Sequence, residues 1–387
     1  MPIADTSVRT YLSTMTGAPT LSGTAGTLIT LLDNCLINGF GSVTLSSLVV
    51  ASNVATATVN TGHGFSMIGG SGGVGPVIRI AGATPSALNR DWRIASVPNS
   101  TTFTFVTADI SDQTATGTIT VKIAPADWTK RFSGTNKAAY ARTDEDATAM
   151  LLRVDDTGTT TAQVRGYEEM TGIDTGAGLF PTIAQVAAAS GLWWKSSAAN
   201  ATAQAWVLMA DGFRLAFFPM PTAASFRHPY LWGDLLTNIT GDAYHCVLST
   251  AQDAGDYPCN SVFYRDGSTY PAYIARAYSQ IGSAVAIKLP AVGITGCLGV
   301  LGVCAYPNNG RLLLRGELEY LEVSSLILRG RWPGVYPPIH AKPMTDLDVV
   351  ANVSGMPVMA LRICSTNSKY SAGDCDGRVF VNLLDWS

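Results

Sequence analysis

Ala51-Ser52-Asn53-Val54-Ala55-Thr56-Ala57-Thr58-Val59 is the stretch whose reading decides the fold. Small apolar residues alternate along it with hydroxylated ones, the period-two pattern of a strand with one face buried and the other wet. The same texture returns in Val77-Ile78-Arg79-Ile80, in Trp92-Arg93-Ile94-Ala95-Ser96-Val97, in Thr102-Phe103-Thr104-Phe105-Val106 and from Gly117 to Ile123. Together these runs predict a small β-barrel or sandwich over residues 42–125.

On the N-terminal side, Leu28, Leu31, Leu32, Cys35 and Leu36 recur at helical spacing and Asn38-Gly39 supplies a stop, so one short amphipathic helix is expected there. On the C-terminal side, strand-like runs resume at Ala149 to Val154, Ala205-Trp206-Val207-Leu208-Met209 and Arg214-Leu215-Ala216-Phe217-Phe218. Asp211-Gly212, Asp266-Gly267 and Asn309-Gly310 provide the turn chemistry that hairpins need. A second helix is predicted over Phe180 to Ala189, with Pro181 in its first turn and Gly191 beyond its end. A third is predicted over Ala272 to Gln280, whose tyrosines also suit a strand. The absence of a fixed-period repeat argues against a solenoid or propeller. The fold class expected is mainly β, with β-sandwich or barrel-like domains and a few short helices. Residues 1–41 plus 126–240 would form the main body, 42–125 an inserted module, and 241–387 a C-terminal β-rich domain; an insertion needs its two ends adjacent, as sandwich termini commonly are.

Hydrophobic residues make up 47% of the 387-residue chain and charged residues only 14%, against about 25% in ordinary soluble domains. So few charges imply that other subunits cover much of the surface. The longest apolar stretches, Thr20 to Gly39 and Ala284 to Val303, are broken by Asp33 and Asn34 and by Lys288 and Pro290, so no membrane insertion is expected. The net charge of −3 without a basic run makes nucleic acid a poor partner. The N-terminus lacks a basic start followed by an apolar run, so release from the producing cell would be by lysis. None of the seven cysteines lies in a C-x-x-C pair, which leaves buried reduced thiols, or local bridges between Cys297 and Cys304 and between Cys364 and Cys375.

Candidate chemistry is thin. Asp156-Thr157-Gly158 follows an apolar run, the local form of an aspartic protease, and Asp174-Thr175-Gly176 repeats it, but too soon for the separate lobe that a carboxylate dyad requires. A turn after a strand explains the first triplet better. The Gly69 to Gly75 run has no following Lys-Ser or Lys-Thr and reads as a hairpin loop. His63, His228, His245 and His340 are isolated from one another and from carboxylates at ligand spacing. Among the acids, Asp155, Glu168, Glu169, Asp211 and Asp242 could meet in a cleft for glycan hydrolysis, although nothing in the sequence selects a pair. No catalytic, cofactor or metal residues are therefore assigned, and an enzyme is not expected. The aromatic groups Trp193 with Trp194, Phe226 with Tyr230 and Trp232, and Trp332 with Tyr336 suit either a receptor-recognition surface or a core.

Thr61-Gly62-His63-Gly64-Phe65, the run from Val77 to Asn89, Trp92-Arg93-Ile94 and Thr101-Thr102-Phe103-Thr104-Phe105 resemble a small β module found in phage virion proteins. Trp128 to Tyr140, Leu152 to Asp156, Arg165 to Glu168, Trp206 to Gly212 and Leu328 to Tyr336 look like a recurrent phage tail or baseplate family, so the resemblance spans nearly the whole chain. It implies a structural component of a tailed-bacteriophage virion, of the tail-tip or baseplate type, made in the host cytoplasm. Such a chain would self-associate, as a homotrimer, and dock on other tail or baseplate proteins. Contact with a host pilus or surface glycan through Trp193, Trp194, Tyr230, Trp232, Trp332 and Tyr336 is the alternative role, and a virion-associated hydrolase a further one.

Overall fold

The computed structural model describes residues 2–187, 189–222, 227–250, 272–289, 312, 314, 316–337, 344–363 and 377–387. The chain is mainly β, with curled sheets that form a half-barrel and, among the described residues, one short α-helix. All ladders between these strands are antiparallel.

The alternating stretch at 51–59 folds as a hairpin arm. Ser47–Ala51 pairs with Val54–Thr58 through a two-residue loop, and Ser52 and Asn53 both take the left-handed backbone (φ 52° and 65°) that such a loop requires. Ala55, Ala57 and Val59 then point inward and Thr56 outward. An eight-stranded sheet grows from this hairpin, drawn from residues 40–123 alone. Its order is Phe40–Thr44, Thr120–Ile123, Val77–Ala81, Asp91–Asn99, Thr102–Val106, Val54–Thr58, Ser47–Ala51, Gln113–Thr114. Trp92 and Phe105 pack at 5.0 Å inside it, and the Gly69–Gly73 segment is a turn closed by Ile68 and Val74.

The largest sheet has ten strands and runs Arg9–Leu12, Ala205–Ala210, Arg214–Met220, Tyr230–Asp234, Cys246–Ser249, Ala272–Ile274, Val285–Lys288, Leu318–Glu322, Leu328–Trp332, Leu236–Thr237. The boundary expected at 240/241 therefore falls inside one sheet, with Trp232 opposite Leu248. A five-stranded sheet over residues 129–194, a two-stranded sheet of Glu169–Gly172 and Thr175–Ala177, and a four-stranded sheet over 335–382 complete the described body. One continuous core joins the helix, the eight-stranded sheet and the near side of the ten-stranded sheet, from Tyr11 and Leu28 through Trp92 and Phe105 to Trp193 and Trp232.

The expected first helix is present as α1 (Thr27–Asp33), continued by a wider turn over Asn34–Asn38, and buries Leu28, Leu31 and Leu32. Its N-cap is Gly26, which carries no capping side chain. The missing acceptor comes from Asp156, whose Oδ2 receives the N–H groups of Leu28 (2.8 Å) and Ile29 (3.4 Å). The Asp-Thr-Gly aspartate is thus a helix cap: it is fully buried and ion-paired with the equally buried Lys195, whose Nζ also donates to the Thr24 carbonyl.

The two other expected helices are corrected. Residues 182–187 form turns rather than a helix. The buried Arg165 guanidinium takes the carbonyls of Pro181, Val186, Ala187 and Ser190, the acceptors that a longer helix would need. Ala272–Ile274 is a strand, paired on both sides and buried throughout, and turns follow it. The proposed bridges between Cys297 and Cys304 and between Cys364 and Cys375, as well as His340, Asp266-Gly267, Asn309-Gly310 and Phe226, lie outside the described residues.

A candidate recognition cleft

Cys246–Ser249 starts, and Ala272–Ile274 and Leu318–Glu322 finish, at the same end of the ten-stranded sheet, because successive strands alternate in direction. The segments at that end are short. Thr237 Oγ1 accepts the Ile239 N–H, and Asp242 Oδ1 accepts the Tyr244 N–H, so side chains set the local backbone. The other oxygen of Asp242 binds Arg329, and both partners are fully buried. Arg329 also reaches Glu322 (2.7 Å) and the Arg276 carbonyl (2.6 Å). One guanidinium therefore holds three chain segments in register, using the fork geometry that lysine lacks.

Above this triad opens a cleft of about 740 Å³ lined by Asp146, Glu168, Glu169, Tyr244, His245 and Arg276, among others. Arg276 clamps Glu168 with two bonds, at 2.7 and 2.5 Å, and lies 4.1 Å from the centre of the Tyr244 ring. His245 places Nδ1 against the Asp242 carbonyl, so that nitrogen carries the proton and Nε2 faces Asp234 at 3.9 Å. Asp234 is itself fastened to Arg142 at 2.6 Å and to Thr148. Burial pushes its carboxyl up, but Arg142, with His245 and Thr148, outweighs burial and holds it below the ordinary aspartate value.

Of the five acids considered for hydrolysis, Glu168, Glu169 and Asp242 share this cleft. Glu168 spends both oxygens on Arg276, Asp242 divides its oxygens between Arg329 and the Tyr244 N–H, and Glu169 is exposed. Asp155 is engaged by Arg153 and Lys137, away from the cleft. Asp211 lines a second cleft of about 660 Å³, where its carboxylate closes the turn to Phe213 and Arg214 and pairs with the Arg214 side chain.

The aromatic residues expected to face a receptor are placed differently. Trp193, Tyr230, Trp232 and Trp332 are fully buried. Trp193 stacks on Tyr230 at 5.1 Å and donates its indole N–H to the Ser249 carbonyl, while Trp232 stacks on Phe180 at 5.6 Å. Trp194 is half-buried against His228, and the half-buried Tyr336 donates its hydroxyl to Glu317. None of the six lines the cleft. Tyr230 and Trp232 are core because Tyr230–Asp234 lies between two paired strands of the ten-stranded sheet, and Trp193, on an edge strand of the five-stranded sheet, is buried by packing against the ten-stranded sheet's Phe217 and Tyr230. Sequence reasoning missed Tyr244, Arg276 and Arg329; no local motif marks them, since their partners lie 108 and 87 positions away for Arg276 and Arg329.

His63 is buried in the eight-stranded sheet, its ring held between the Phe65 N–H and the Asn99 carbonyl. Burial lowers the pKa of His228 to about 3. Among the described residues, no group of three or more His, Cys, Asp or Glu side chains is placed to hold a metal ion. No helix among them is long and apolar enough to cross a membrane. Comparison with protein-family models and with curated proteins finds no match for this chain.

Proposed function

We propose that the chain is a structural component of a tailed-bacteriophage virion, of the tail-tip or baseplate type, that self-associates and docks on neighbouring tail proteins. The observation that carries this reading is where the charges go. Lys195 with Asp156, Arg142 with Asp234, Arg214 with Asp211, and Arg329 with Asp242 and Glu322 all have side chains no more than 7% exposed. A chain with only 14% charged residues thus spends many of them inside and leaves a sparsely charged exterior. Subunits of permanent assemblies have such exteriors, since obligate interfaces resemble a domain core cut in half. Mass spectrometry of density-purified particles from a lysate containing the chain tests the proposal. The expected result is stoichiometric recovery with the particle, and reconstruction of the particle places it at the tail tip; its absence from clean particles refutes the reading.

The cleft favours one extension, contact with a host surface glycan or pilus. Fixed hydrogen-bonding groups beside an aromatic ring suit such a polar ligand. Tyr244→Ala particles that adsorb to host cells as well as unmodified ones would remove that extension while leaving virion membership intact.

A further inference from the structure

We draw no further inference here: the strongest candidate, the pair of exposed acidic side chains Asp146 and Glu169 on the wall of the cleft above the Arg329 triad, belongs to the site already described, and nothing among the described residues adds a second feature there that points to a cationic ligand.

Discussion

Lys195→Met isolates the contact between α1 and the five-stranded sheet. The Asp156 carboxylate would keep its two backbone donors, Leu28 and Ile29, and lose the ammonium that sits beside it in a site where both side chains are fully buried. Breaking one partner of a buried pair costs about 3–5 kcal/mol, because the remaining charge is left uncompensated. Burial already raises the Asp156 carboxyl above its ordinary value, against the lowering effect of Lys195 and the two N–H groups. A carboxyl raised in the folded state favours folding most when protonated, and that contribution fades as pH rises through the raised value. Removing Lys195 lifts it further, so the loss should be larger at about pH 7 than at about pH 5. Urea unfolding followed by circular dichroism at both pH values measures this. Lys195→Met/Asp156→Asn should recover most of the stability, since the neutral amide still offers one acceptor oxygen to α1. A Lys195→Met loss below about 1 kcal/mol at neutral pH, the range of an exposed ion pair, would refute the assignment of this pair as the fastener.

The Asp234 carboxyl is held below the ordinary value of 3.8, so its contribution should be present above that value and disappear as pH falls through the lowered one. Urea midpoints taken from about pH 6 to about pH 2.5 should fall less steeply in Asp234→Asn than in the parent, and equal slopes would contradict this. Cys35 and Cys246 are buried thiols whose ionisation is pushed up by burial, so iodoacetamide should leave both unmodified in the native chain and label both after denaturation. Peptide mapping that finds either one alkylated under native conditions would show that its surroundings open.

Several features of this chain were legible because they are local. Leu28, Leu31, Leu32, Cys35 and Leu36 repeat at helical spacing, and they are the buried face of α1 and the turn that continues it. Ala55, Ala57 and Val59 alternate with polar neighbours and are the inward face of a strand. The segment after Pro181 misled for the opposite reason: its alanines carry helix propensity, but Arg165, from a strand 16 positions earlier, claims its carbonyls. Propensity is a weak prior that such a contact overrides.

The sequence by itself determined the β class, the α-helix near the N-terminus and the scarcity of charge. Strand and helix periods are written in neighbouring residues, and composition needs no structure to be counted. Only the tertiary structure decided what the chemically suggestive residues do. It turned the Asp-Thr-Gly aspartate into a cap for a helix 128 positions away and placed the tryptophans of the middle strands in the core. It also brought Glu168, Asp242, Tyr244 and Arg276 around one cleft. The physical reason is that a side chain's role follows from burial and from partners across the fold, and neither leaves a mark at short range in the sequence.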